Sequence, residues 1–238
     1  MTTSLADALR EQGFVVLRGE IDPGPLSDET DRALADGARG DGSAAFEYVP
    51  MMCERTPVSL DLVDRFAVVA ERLLGRAVLP GRAKATRYHG DTAWHRDSTY
   101  PMPSLGCVAY LEPVDASNGA LRVIAGSHVA PARPDDAGEP LATMPGDVIV
   151  FDERLLHGSN GGARRRQWRV DFVIDPHDAQ ERASVERWFA QSIPNEQDDT
   201  GYDAQRYPSY GPYWQTRDRP WTTKLRDLGV YRLAAGDL

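Results

Sequence analysis

Cysteine and histidine are scarce in this 238-residue chain, with two of the first and five of the second. Cys53 and Cys107 stand in unrelated contexts and form no CxxC pair or zinc-like spacing, so neither a disulfide framework nor a thiolate metal site is expected. No run of eighteen apolar residues occurs, so no stretch has the length of a membrane-spanning helix. Met1-Thr2-Thr3-Ser4 lead straight into an amphipathic segment without the basic and apolar regions of a secretory signal. Internal repeats, low-complexity tracts and Gly/Ser linkers are also missing. Positive charge is in deficit: 27 Lys and Arg face 36 Asp and Glu, for a net charge of −9 and a pI near 5.1. A surface of that sign disfavours nucleic acid and polyphosphate partners and tolerates a cationic ligand. The expectations are a reduced, cytoplasmic setting and one domain over residues 1–238, with 41% hydrophobic residues to build its core.

Three regions of different texture follow one another. The first, 1–76, is helical. Leu5 and Leu9 give residues 4–12 a helical stripe that Gly13 ends, and Phe14-Val15-Val16-Leu17 reads as a short strand. A helix near 27–36 precedes a Gly- and Asp-rich stretch that looks like a loop. Ser59 can cap a helix running to Leu74, with Leu62, Phe66, Val69 and Leu73 on one face and Gly75 closing it. From 77 to 175 short strands alternate with Gly, Pro and Asn turns, near 77–89, 106–112, 119–125, 147–151, 155–158 and 166–174. Such strands suggest a jelly roll, cupin-like and mainly β with flanking helices. A helix near 177–190 then leads into a tail rich in Tyr202, Tyr207, Tyr210, Tyr213, Trp214 and Trp221. So aromatic a tail is expected to pack across the domain or over its mouth.

The chemistry concentrates in Trp94-His95-Arg96-Asp97-Ser98 and, sixty-two positions after His95, in His157-Gly158-Ser159. Positions two apart on an extended backbone share a face, so His95 and Asp97 point the same way. A facing strand led by Pro145-Gly146-Asp147-Val148-Ile149-Val150-Phe151-Asp152 delivers His157. Two imidazoles and one carboxylate on one side of a metal suit non-haem Fe(II) and leave positions open for a chelating co-substrate and dioxygen. A His-x-Asp by itself is common and is usually a solvated pair; the remaining histidines, His89, His128 and His177, fit core or surface roles.

The ordered set WHRD, NGALRVIAGSH, PGDVIVFDERLLHGS and an Arg-bearing strand, over about residues 84–175, resembles the phytanoyl-CoA dioxygenase-like (PhyH) branch of the Fe(II)/2-oxoglutarate oxygenases. Gly13-Phe14-Val15-Val16-Leu17 echoes it more weakly. The resemblance implies a double-stranded β-helix, iron held by His95, Asp97 and His157, and 2-oxoglutarate and O2 as co-substrates. It also implies a structural role for His128 in its Gly-Ser-His turn. Related halogenases lack the carboxylate that Asp97 supplies, so oxygenation or dehydrogenation is expected here.

The distal carboxylate of 2-oxoglutarate needs a buried cation, and Arg154, Arg164, Arg165, Arg166 and Arg169 crowd the right region. In the resembled family that arginine follows the second histidine by about ten to thirteen positions; Arg169 is twelve on and Arg166 nine. Alternation agrees, because Trp168, Val170, Phe172 and Ile174 share a face that a helix would cover, leaving Arg169, Asp171 and Val173 facing inward. Arg169 is therefore the expected co-substrate arginine, with Arg166 the alternative; Tyr88 is either a hydrogen-bonding neighbour of 2-oxoglutarate or a core tyrosine. Asp171 is expected near substrate, unless it pairs with Arg122 or Lys84. Tyr100, Met102, Phe46-Glu47-Tyr48 and the tail are expected at the mouth. This polar, aromatic set suits a sugar- or amine-bearing small molecule better than an acyl-CoA, similar to small family members of the orthosomycin oxygenase type. Two other readings stay open: a cupin-like metal enzyme that does not use 2-oxoglutarate, and a jelly roll that only binds a small molecule.

Overall fold

The computed structural model describes residues 4–39, 46–132, 138–198 and 201–235. Helix α1 (Leu5–Gln12) starts where the Ser4 hydroxyl accepts from the Asp7 amide and ends at Gly13, whose φ of 86° turns the chain into strand β1 (Phe14–Leu17). Helix α2 (Pro23–Gly37) begins four residues ahead of the expected helix near 27–36. Asp22 caps it through the Gly24 amide, and proline in the first turn needs no hydrogen bond there. The stretch read as a loop contains an edge strand, β2 (Phe46–Pro50), while residues 40–45 of it lie outside the described residues.

Helix α3 (Pro57–Leu74) closes at Gly75 as expected, but Ser59 does not cap it. The buried Glu29 of α2 does so from a distance, its carboxylate accepting from the Val58 and Ser59 amides at 2.9 and 2.8 Å. The Ser59 hydroxyl instead donates to the Met51 carbonyl and accepts from the Trp168 indole. That choice ties α3 to the sheet beneath it.

Eight further strands complete the β framework: β3 (Val78–His89), β4 (Thr92–His95), β5 (Ser104–Tyr110), β6 (Arg122–Val123), β7 (Glu139–Pro140), β8 (Val148–Asp152), β9 (His157–Ser159) and β10 (Ala163–Ile174). They form two sheets, a larger one in the order β1-β8-β5-β10-β3-β2 and a smaller one in the order β4-β9-β6-β7, with antiparallel pairing throughout. Val108, Ile149 and Phe151 of the larger sheet pack on Val123 of the smaller and on Leu121 just ahead of β6. Two sheets packed in this way, with helices outside, make the expected double-stranded β-helix.

The long central strand β10 alternates as its sequence demands. Trp168, Val170, Phe172 and Ile174 are buried in the apolar cluster that includes Phe66 of α3, with the Trp168 ring 5.9 Å from that of Phe66. Helix α4 (Ala179–Asp198) follows, then α5 (Pro212–Thr216), α6 (Thr222–Asp227) and α7 (Val230–Ala235). The aromatic tail packs, but across the N-terminal helices. Tyr202 bridges to Ala38, Tyr207 lies against Gly37, and Arg217 and Arg219 both reach Asp64 of α3 at 2.6 Å. No helix among the described residues is long and apolar enough to cross a membrane.

Candidate metal centre and its two cavities

Strands β4 and β9 of the smaller sheet pair so that His95 stands opposite His157, with ring centroids 4.3 Å apart. The loop after β4 is pinned when the Asp97 and Ser98 amides both donate to the Glu153 carbonyl. This swings the Asp97 carboxylate between the rings: Oδ1 lies 3.2 Å from Nε2 of His95 and Oδ2 3.4 Å from Nε2 of His157. One ligand atom from each residue lies within 4.8 Å of the others.

Both imidazoles are oriented by their far nitrogens. Nδ1 of His95 is 2.8 Å from the Ala93 carbonyl and Nδ1 of His157 is 2.9 Å from that of Leu155. Each Nδ1 therefore carries the proton, and each Nε2 turns a lone pair to the same point. This donor set fits a divalent iron. Burial alone would raise the Asp97 pKa, but the Arg169 guanidinium and the two imidazoles outweigh it and hold the carboxyl well below the usual range. The ligand is thus an anion before a metal arrives. His157 is buried, whereas 40% of the His95 side chain is exposed, which leaves an entry side.

Two cavities meet at this point. The first, about 60 Å³, lies between the sheets and is lined by Tyr88, Tyr110, Leu121, Gln167 and Arg165 beside the three ligand residues. Arg165 is buried there, and among the described residues its hydrogen bonds go to neutral groups: the carbonyls of Gly90, Gly161 and Gly162 and the hydroxyls of Thr92, Ser159 and Tyr110. Its guanidinium lies 5.1 Å from the Tyr88 ring. The left-handed Gly162, whose Cβ would fall 2.2 Å from the Asn118 carbonyl, lets the loop before β10 fold tightly enough to aim Arg165 inward.

The second cavity, about 180 Å³, opens on the other side of Asp97 and is lined by Lys84, Tyr100, Glu153, Asp171 and residues of α4 including Trp188. Asp171 already has two cations, Nε of Arg169 at 2.5 Å and Lys84 at 3.4 Å. Glu153 accepts from the Trp188 indole at 2.9 Å and from Arg169 at 3.2 Å. Burial, reinforced by the neighbouring Asp171, pushes its pKa up to about 8, so at neutral pH Glu153 is mostly a neutral acid.

The sequence-derived candidates therefore divide between the two sides. His95, Asp97 and His157 converge. Tyr88 lines the narrow cavity, its hydroxyl accepting from Gln167 at 3.3 Å. Tyr100 and Asp171 line the charged one; Arg122 does not meet Asp171 but donates to the Gly138 carbonyl. Arg169 faces inward, yet its guanidinium is held by Asp97, Glu153 and Asp171 together. Arg166 faces outward to Asp31 and Glu112, both at 2.5 Å. The sequence offers Arg165 among the five arginines of this region without selecting it, and Gln167, Glu153 and Trp188 receive no assignment there. Arg165 and Gln167 carried a usable signal, since they share the alternation face of Arg169. Phe46 and Glu47 line neither cavity and instead contact Tyr88 and Arg87 of β3. His128 holds the turn, 3.2 Å from the Arg10 carbonyl, in keeping with a structural role.

Fold and site together define a jelly-roll enzyme whose two imidazoles and one carboxylate are placed to hold a divalent metal. The chain belongs to the phytanoyl-CoA dioxygenase (PhyH) family, whose model matches residues 9–167. It is an Fe(II)/2-oxoglutarate-dependent dioxygenase, with iron as its metal and 2-oxoglutarate and O2 as co-substrates. The dioxygenase trt7 of Aspergillus terreus is 27% identical over 197 residues, covering 68% of this chain and 68% of that protein. EvdO2 from Micromonospora carbonacea var. aurantiaca, solved with 2-oxoglutarate, shares the fold at 19% identity and a TM-score of 0.58, covering 74% of this chain and 91% of its own. The epimerase SnoN, solved with Fe3+, α-ketoglutarate and nogalamycin RO, does so at 21% identity and a TM-score of 0.58, covering 72% and 82%.

Proposed function

We propose that this dioxygenase tailors a small polar natural product, hydroxylating it or oxidatively closing a ring on a sugar- or amine-bearing molecule of the aminoglycoside or oligosaccharide type. Arg165 holds the distal carboxylate of 2-oxoglutarate in the narrow cavity, and the substrate enters the charged one. The observation that carries this assignment is the contrast between two inward arginines. Among the described residues Arg165 is a buried guanidinium with neutral partners only, whereas Arg169 already meets the carboxylates of Asp97 and Asp171 and the carboxyl of Glu153. A buried guanidinium gains most from an incoming dianion where no anion sits beforehand.

Bound iron, with 2-oxoglutarate and O2, supplies the oxidant that removes hydrogen from substrate. The chain's own residues do the rest. His95, Asp97 and His157 present one nitrogen or oxygen each. Arg165, Tyr88 and Gln167 orient the co-substrate. The apolar walls Leu121, Val108 and Phe151 exclude water from the narrow side. On the other side Lys84, Glu153, Asp171 and Tyr100 offer donors and acceptors in a space for about a dozen water-sized atoms, the scale of one sugar ring. A long acyl chain finds little apolar surface there. EvdO2, solved with 2-oxoglutarate, and SnoN, an epimerase solved with α-ketoglutarate and nogalamycin RO, support a tailoring role.

The test is anaerobic titration of the Fe(II)-loaded protein with 2-oxoglutarate, following the visible charge-transfer band of the chelate. Arg165→Ala is expected to weaken 2-oxoglutarate binding about 30-fold or more, and Arg166→Ala to change it little. A wild-type protein that binds iron but gives no band would remove the co-substrate from the reading. Succinate release triggered by acyl-CoA, and not by amine- or sugar-bearing compounds, would remove the substrate class.

A further inference from the structure

Arg169 and Asp97 line both cavities, so the wall between co-substrate side and substrate side is one ion pair. Nη2 of Arg169 donates to Oδ2 of Asp97 at 2.9 Å. Oδ1 faces Nε2 of His95 at 3.2 Å, and Oδ2, besides its bond to Arg169, lies 3.4 Å from Nε2 of His157. A metal-binding carboxylate can offer one oxygen or two, and the difference is one coordination position. With two imidazoles, a one-oxygen carboxylate leaves three positions of an octahedron open, enough for a chelating keto acid and dioxygen; a two-oxygen carboxylate leaves two.

We infer that Arg169 is a positioning residue that fixes the rotation of the Asp97 carboxylate and, by engaging Oδ2, limits this carboxylate to one bond to the metal. The inference rests on the metal centre described above.

The guanidinium is unusually well fixed for that task. Its Nε donates to Asp171 at 2.5 Å, and Nη2 is shared with Glu153 at 3.2 Å. Its central carbon lies 5.4 Å from the Phe151 ring. The anchors are themselves held: Lys84 stands 3.4 Å from Asp171, and the Trp188 indole donates to Glu153. Gly106, paired with Asp171 across β5 and β10, leaves the space this needs; a Cβ there would come within 3.2 Å of Nη2 and 2.8 Å of the Phe151 ring. Geometry of this kind depends on the planar fork of arginine, which a lysine ammonium cannot reproduce although it keeps the charge. Outer hydrogen bonds of this sort typically contribute about 10–100-fold in metal affinity.

The experiment uses Co(II)-substituted full-length protein under anaerobic conditions. It reads metal affinity by chelator competition, the visible cobalt spectrum as a measure of coordination number, and 2-oxoglutarate affinity separately. Arg169→Lys is expected to weaken cobalt binding about 10–100-fold and to shift the spectrum before any 2-oxoglutarate is added. Arg165→Lys is expected to do the reverse, with cobalt affinity and spectrum of the wild type and weakened 2-oxoglutarate binding. Asp171→Asn, which releases the Nε end of the guanidinium, is expected to move the spectrum in the same sense as Arg169→Lys and serves if that variant does not fold. Wild-type cobalt affinity and spectrum in whichever of these two variants fold overturn the inference. So does loss of 2-oxoglutarate binding in Arg169→Lys with none in Arg165→Lys. A wild-type protein that binds neither cobalt nor iron overturns the metal centre itself, a result distinct from the other two.

Discussion

Glu153 shows how much one position can carry. Its carbonyl receives two amides of the loop bearing Asp97, and its carboxyl joins Trp188 to Arg169. Burial raises that carboxyl from 4.5 to about 8. In the native protein the proton is therefore kept across a range where the unfolded chain has lost it, so this group's contribution to stability is fully present below about pH 4.5 and falls as pH rises towards 8. Glu153→Gln is expected to flatten this part of the melting-temperature profile of the metal-free protein. Thermal melts every half pH unit check it; parallel profiles for variant and wild type would show that Glu153 holds no such proton. At this scale the metal ligands were the most legible residues, because His95 and Asp97 lie two apart and the PhyH-like strings frame His157. The arginines were less so. Alternation does separate Arg166 from Arg169, but Arg165 and Arg169 share a face. What distinguishes them is which carboxylates reach each one, and those carboxylates come from β8–β9, the Asp97 loop and β10 itself.

Among the elements, β10 organises the enzyme. One face carries Arg165, Gln167, Arg169 and Asp171 to the cavities; the other fastens the sheet to α3 through Trp168. Trp168 is fully buried, and its indole donates to Ser59 at 2.8 Å. Trp168→Ala is expected to cost about 3–5 kcal/mol of stability. Urea unfolding followed by circular dichroism measures this, and a loss under about 1 kcal/mol would mean the α3 face does not clamp the strand. Elements with a strong period were readable in advance: α1, α3 and β10. Those that were not are short or polar. Strands β4 and β7 have four and two residues, and β2 follows a stretch of Gly and Asp. None has enough residues to show a period, and each is a strand only because a neighbour supplies its hydrogen bonds.

For the whole molecule, the proposed metal and co-substrate sites join parts remote in sequence. Asp97 and His157 come from the smaller sheet and its loop, Arg165 from the larger. Ligands that bind only the assembled state stabilise it by mass action, about 2.7 kcal/mol at a concentration 100 times the Kd. For a chain of this size that corresponds to a rise of about 5–10 °C in Tm. Anaerobic thermal melts with Fe(II), 2-oxoglutarate and both together are expected to show the largest rise for both. Identical Tm values with and without ligands would contradict a site built across the two sheets.

Local pattern set the β framework, the one-sided helices, the inward and outward faces of β10 and the metal-binding trio. Each depends on residues close in the chain or on strings recognisable as they stand. Only the tertiary structure decided which inward arginine meets a free cavity and which is held among carboxylates, how Glu29 caps a helix thirty residues away, and where the aromatic tail lies. Those outcomes depend on burial and on charges brought together from distant strands, and a linear pattern does not record which charges will become neighbours.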